Sequence, residues 1–257
     1  MMNIIRADVY RIFRGWGVWV VFGLAALIPA AMIIASYIAG EITNVAYDAP
    51  VFSAAEGLSM LMLFLVLLAV PVFTITAGPV FQDKTVKNEV SWGVPRTTLY
   101  LSRMIVAALW CVLLVIVYYG VGMALFAILT DSGNQNTLVA NNDWGNFFIS
   151  AASQTFMVIA SSWLGIFLTF IIKNPFVTIE VYGGILIIPQ MFGVLLGFAD
   201  VDVTRVMYFD LTSNLAYLHN VAGMESNRFA IAMAVGAVWA FIPAIIGLIN
   251  FQRREIS

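Results

Sequence analysis

The sequence predicts an all-α integral membrane protein, and three observations predict it. Hydrophobic residues make up 62% of the 257 residues and charged residues only 10%, where soluble domains carry about 25% charged residues. The apolar residues gather in six runs, each close to the ~20 residues that a membrane-crossing helix needs. Laid out as alternating spans, those runs leave nearly all lysines and arginines on one side. The formal net charge of −2 implies neither nucleic acid nor an acidic substrate as partner, so the placement of the charges carries the information.

The chain opens on an amphipathic stretch. Residues 3–16, NIIRADVYRIFRGW, place Ile5, Val9, Ile12, Phe13 and Trp16 on one helical stripe, with Arg6, Arg11 and Arg14 on the opposite side. This pattern predicts a helix lying in the membrane interface, its basic face toward lipid headgroups. The alternative is a short basic flank that only fixes orientation. The arginines precede an apolar run too long for the core of a cleaved signal, with no clear small-residue cleavage site, so the first span is expected to be retained as an anchor.

Six spans are predicted near 17–39, 58–80, 104–130, 148–172, 176–199 and 229–251, in one domain covering 1–257 without internal repeat or linker. The last is the cleanest. Residues 229–249 hold ten Phe, Ile, Leu or Val and no charge, an insertion preference of about −3 to −6 kcal/mol. Pro29, Pro71, Pro79, Pro189 and Pro243 fall within or at the ends of spans, where proline tends to kink a helix but is also commoner than in soluble helices. Gly193 to Gly197, GVLLG, is a small-xxx-small pattern that permits close helix approach. The turn Lys173-Asn174-Pro175 is so short that the fourth and fifth spans are expected to be antiparallel neighbours.

Orientation follows from the basic residues. Arg6, Arg11, Arg14, Lys84, Lys87, Arg96, Arg103, Lys173, Arg253 and Arg254 share one side, leaving only Arg205 and Arg228 on the other. The positive-inside rule then puts both termini in the cytoplasm. The outer segments are acidic instead, with Glu41, Asp48, Glu56, Asp131, Asp143, Asp200, Asp202, Asp210 and Glu225.

Residues that bear chemistry are scarce. The one cysteine, Cys111, lies in an apolar run and reads as a small apolar residue; the one histidine, His219, reads as a hydrogen-bonded interfacial residue. No Walker A pattern and no HExxH occurs. Glu180 is the exception, an ionisable group inside the fifth span and hence a functional candidate. It stands one to two turns from the predicted cytoplasmic edge, where Lys173 or Arg103 would be a partner. Residues 200–228 are semi-polar and too long for a bare connection, which predicts short helices packed at the outer face.

The stretch from Phe81 to Arg103, FQDKTVKNEVSWGVPRTTLYLSR, is both basic and structured by its sequence. Residues 82–92 predict one short helix that stops at Gly93-Val94-Pro95, because proline disfavours helical geometry in the residue before it. Thr97 or Thr98 is placed to cap a new helix that runs into the third span. A solvated basic flank is the bland alternative.

Here the chain resembles a known family. Phe81, Asp83, Lys84-Thr85-Val86-Lys87-Asn88, then Val94-Pro95-Arg96-Thr97, Tyr100-Leu101 and Arg103 are similar to the segment between the second and third spans of type-2 ABC exporter permeases. Lys84 stands where that family usually has glycine, and Pro95 where serine is more common. The resemblance implies a permease subunit in the bacterial cytoplasmic membrane whose coupling helix, here Asp83, Lys84, Lys87, Glu89 and Arg96, docks on a separate cassette ATPase. It also implies contact of the N-terminal helix with that ATPase, two ATPase copies, pairing with a second permease chain, identical or sister, and outer helices that cap the pathway. The chain would be no enzyme by itself and would hold no cofactor, ATP and Mg being bound by the partner. The cargo would be amphipathic or lipophilic, such as an antimicrobial peptide, drug or lipid. Two other readings stay open: a membrane scaffold or sensor that docks a cytoplasmic partner without transport, and an ion-coupled carrier using Glu180.

Overall fold

The computed structural model describes residues 2–43, 58–59, 63–82, 90–91, 93–129, 143–198, 209–218, 221 and 224–253. These form α1 (Met2–Arg14), α2 (Trp16–Thr43), α3 (Leu63–Gln82), α4 (Arg96–Leu129), α5 (Trp144–Ile172), α6 (Pro175–Phe198), α7 (Leu211–Tyr217) and α8 (Ser226–Arg253). The expected all-helical class is what the described residues show. Five helices contain stretches long and apolar enough to cross a membrane: Trp16–Ala35 in α2, all of α4 and α5, Pro175–Phe192 in α6, and α8. The run expected to span near 58–80 gives α3, whose apolar stretch Phe64–Gly78 is shorter. By length and composition, five spans therefore stand among the described residues where six were expected.

Local chemistry sets the helix ends. Asp143 caps α5 by accepting the Asn146 N–H at 3.0 Å, and Asp210 caps α7 by accepting the Ser213 N–H at 2.8 Å; each carboxylate satisfies an amide that the first turn leaves unbonded. α5 ends on Lys173, which takes a left-handed conformation (φ 59°) and gives its N–H to the Thr169 carbonyl at 2.9 Å. Pro175 then starts α6, as proline suits a first turn. The two-residue elbow makes α5 and α6 packed neighbours, as its length predicts. Pro29, Pro189 and Pro243 lie inside α2, α6 and α8, each of which continues past its proline.

α5 is the centre of the bundle. It packs against α8, α3, α4 and α6, while α2 packs on α4. Of its most apolar window 61% is buried, against 22–33% in the other four long helices. Close approach at α5 depends on missing side chains. Gly165 of α5 faces the ring of the fully buried Phe73 of α3. A Cβ on Gly236 of α8 would stand 2.6 Å from the Met157 sulfur of α5. The surroundings of Gly193 and Gly197, the pair whose spacing permits close helix approach, lie outside what is described.

Large apolar side chains cover the outside of the bundle as well as its core. Gln154, Ser161, Ser162 and Asn214 are fully buried, whereas Phe176, Ile116 and Leu195 project outward with most of their surface exposed. Several buried hydroxyls bond back to their own helix, Thr76 to the Val72 carbonyl at 2.6 Å and Thr169 to that of Gly165 at 2.8 Å, which satisfies their hydrogens in an apolar setting. A broad apolar exterior around a core that also holds polar side chains belongs to a chain solvated by lipid. This is a multi-pass membrane protein.

The α3–α5 contact yields a stability test. Gly165→Ala should destabilise the bundle by about 1–3 kcal/mol, because the Phe73 ring has to move. Thermal unfolding in detergent will show the loss, and adding Phe73→Leu should recover part of it.

Candidate functional site at the junction of α1 and α4

Ile5, Asp8, Val9 and Ile12 follow one another at three- and four-residue spacing along α1, so they share a face. Ile12 is buried there, and Ile5 and Val9 pack against the core. Asp8 is carried inward with them, to 4% exposure. Its Oδ1 pairs with Nη1 of Arg103, a side chain with no exposed surface, and lies 3.6 Å from Nη2 of Arg11. Asp8 Oδ2 has no hydrogen-bond partner among the described residues. Burial pushes the Asp8 carboxyl above the ordinary aspartate range, opposed by the Arg103 guanidinium and more weakly by Arg11.

Arg103 stands two turns into α4, and the residues before it fasten two further helices. Tyr100 lies edge-on to Phe170 of α5, with ring centroids 5.0 Å apart, and 6.4 Å from Phe251 of α8. Arg96 Nη1 donates to the Gln252 carbonyl at 3.1 Å, placing a cation on the last turn of α8, where the helix dipole favours one. The opening turns of α4 thus hold α1 by an ion pair, α5 by aromatic packing and α8 by a charged hydrogen bond.

The chain leading into this hub breaks as its sequence predicts. Val90 and Ser91 are helical, Gly93 has φ 83° and gives its N–H to the Val90 carbonyl at 3.0 Å, and Val94–Pro95 are non-helical. Asp83, Lys84, Lys87 and Glu89 lie outside the described residues, so Arg96 is the described member of the coupling set. The predicted threonine cap is corrected: α4 starts at Arg96, with the Pro95 carbonyl accepting the Leu99 N–H at 3.1 Å, and Thr97 and Thr98 lie in its first turn. Pro95, with fixed φ and no amide hydrogen to satisfy, is itself suited to a helix start.

The reading of residues 3–16 is corrected too. α1 ends at Arg14 and the chain bends at Gly15, whose N–H bonds the Ile12 carbonyl at 3.0 Å. Trp16 therefore begins α2 and leaves the apolar stripe, to be 81% exposed. Phe13 is exposed at the edge of the stripe, though its ring lies 4.8 Å from that of Trp110. Arg6 and Arg14 are exposed as expected, Arg14 bonding the Tyr10 hydroxyl at 2.9 Å, whereas Arg11 is half-buried and turns toward Asp8. Arg103 is engaged by Asp8, and Glu180 is exposed on α6 without an ion pair among the described residues. Cys111 is buried, its thiol facing the Val158 carbonyl at 3.9 Å; His219 lies outside the described residues.

A second polar cluster escaped the sequence reading. Gln154 of α5 accepts from the Tyr119 hydroxyl of α4 at 2.9 Å and donates to the Ser59 carbonyl at 3.0 Å. Ser59 Oγ and the Tyr119 hydroxyl are 2.8 Å apart. At α7, Gln190 Nε2 reaches Asp210 Oδ2 at 2.5 Å and Thr212 Oγ1 at 2.6 Å, tying α6 to the α7 start. No single residue type announces such a network; only tertiary contact assembles it. No group of three or more His, Cys, Asp or Glu able to hold a metal occurs among the described residues.

No protein-family model matches this chain, and none of the curated proteins matches it at a significant level. The functional reading therefore rests on the residues and their arrangement.

Breaking the buried pair should be costly. Asp8→Asn removes the carboxylate that faces the buried Arg103 guanidinium, and stability in detergent should fall by about 3 kcal/mol. A cysteine placed at Val9 should at the same time become more reactive toward a polar maleimide as α1 lifts. The exchanged pair Asp8→Arg with Arg103→Asp should recover part of both effects.

Proposed function

We propose that this chain is the membrane subunit of a transporter driven from outside its own sequence, by a cassette ATPase that docks on residues 83–96, as the likeness to type-2 ABC exporter permeases implies. The observation that carries this reading is the fastening of α1, α5 and α8 to the first two turns of α4. Force applied to the segment just before Arg96 is passed at once to four helices. A partner pressing there moves the bundle, whereas a docking site for a passive scaffold has no need of that linkage.

In this reading α3 is a sixth span, since its 20 residues rise about 30 Å at 1.5 Å each. The count then places both termini in the cytoplasm of a bacterial cell, with α1 lying along the inner surface and Arg6 and Arg14 toward lipid and ATPase. α7 lies at the outer mouth, where it caps the path. Two permease chains, identical or sister, and two ATPase copies complete the machine; ATP and Mg bind the ATPase. The two ATPases close on ATP, the docked segment turns, and the spans reopen a route for an amphipathic or lipophilic cargo such as an antimicrobial peptide, drug or lipid.

The test is biochemical. Tagged protein purified from its own membranes should bring down a nucleotide-hydrolysing subunit. Lys84→Glu together with Lys87→Glu should reduce coupled ATPase activity at least tenfold while leaving the yield of folded membrane protein near that of the wild type. A co-purifying partner that hydrolyses no nucleotide would replace transport by the scaffold reading. Substrate movement by the chain alone down an ion gradient, abolished by Glu180→Gln, would replace it by the carrier reading.

A further inference from the structure

α6 and α8 both pack on α5 but scarcely touch one another. The gap between them is an apolar groove of about 540 Å³, lined by Val181, Gly184, Ile185, Ile188 and Pro189 of α6 and by Trp239 of α8. It opens sideways, toward what surrounds the bundle. At one end the gap is bridged by the chain that starts α7. Trp239 Nε1 donates to the Phe209 carbonyl at 2.9 Å and Gln190 bonds the neighbouring Asp210. At the other end stands Glu180, one turn before Gly184 along α6. It is exposed, among the exposed Phe176, Val177 and Val181.

A carboxylate on an apolar helix face is costly in lipid unless a cation meets it, and Glu180 has none among the described residues. From Glu180 to Gln190 the helix rises about 15 Å. The site is thus closed at one end, apolar along its length and negative at the other. Gly184, which has no side chain, stands where the apolar part meets the charge.

We propose that this groove binds a cationic amphiphile, its alkyl chain lying along Val181, Gly184, Ile188 and Trp239 and its ammonium head at Glu180. An anionic amphiphile would set like charges together, and an uncharged one would leave the carboxylate unmet. The inference is independent of the transport reading, because binding is a property of this chain without any ATPase. An amine-headed membrane lipid and a foreign single-chain amine share this chemistry.

The full chain in phosphatidylcholine nanodiscs, titrated with terminally brominated dodecylammonium, supplies the test, since bromine quenches a tryptophan that it touches. Quenching should saturate, and Trp239→Phe should remove the saturable part. Glu180→Gln should weaken binding about tenfold, the equivalent of ~1.4 kcal/mol. Gly184→Leu, which fills the groove and leaves the charge, should abolish it. Brominated dodecanol should bind the wild type no better than the ammonium probe binds Glu180→Gln. Relief of quenching on adding phosphatidylethanolamine to the discs marks a lipid as the natural occupant; relief only by free dodecylamine marks a foreign amine. Quenching that rises linearly with probe, or an equal response of alcohol and ammonium, or no change in Glu180→Gln, overturns the proposal.

Discussion

The pairing of Asp8 with Arg103 is the constraint on which the charged end of this bundle depends. Two opposite charges removed from water are costly unless they meet, and the meeting point fixes where α1 lies. The apolar face of α1 alone would tolerate sliding or rolling over the bundle, since hydrophobic contact has no direction. A buried carboxylate facing the Arg103 guanidinium on another helix does not. The ion pair gives register to an element that would otherwise be held only by grease.

The same logic recurs in neutral form elsewhere. Gln154, Tyr119 and Ser59 bring together α4, α5 and the residues ahead of α3, and Gln190 with Asp210 joins α6 to α7. Helices in lipid gain little from the hydrophobic effect when they associate, so fit between surfaces and hydrogen bonds decide their arrangement. α5 shows both devices: Gly165 admits the Phe73 ring, and Trp163 donates to the Met104 carbonyl of α4 at 3.0 Å.

Helix positions were legible because apolar run length and the membrane set each other. The starts and ends of the long helices lie within a few residues of the runs, apart from α4, which begins eight residues earlier than the third span, at Arg96 rather than 104. That difference is physical: the polar turns from Arg96 to Arg103 are helical without being apolar, and hydropathy does not register them. α3 was read as a full span from a run beginning at 58, yet its apolar helical stretch is Phe64–Gly78. Asp8 was visible in the spacing, at three from Ile5 and four from Ile12. It was passed over because a lone acid among arginines reads as part of the charged face. Glu180 was recognised as unusual, but its surroundings are a matter of which helices fail to touch, and no local pattern records that.

The elbow at Lys173 ties the movements of two helices together. With only Lys173 and Asn174 between α5 and α6, neither helix can turn or slide far without carrying the other, so the two behave as a single hairpin. A glycine would fit the left-handed bend with less strain. The lysine adds a charge that resists entry into hydrocarbon, and so keeps the tip of the hairpin at a polar surface.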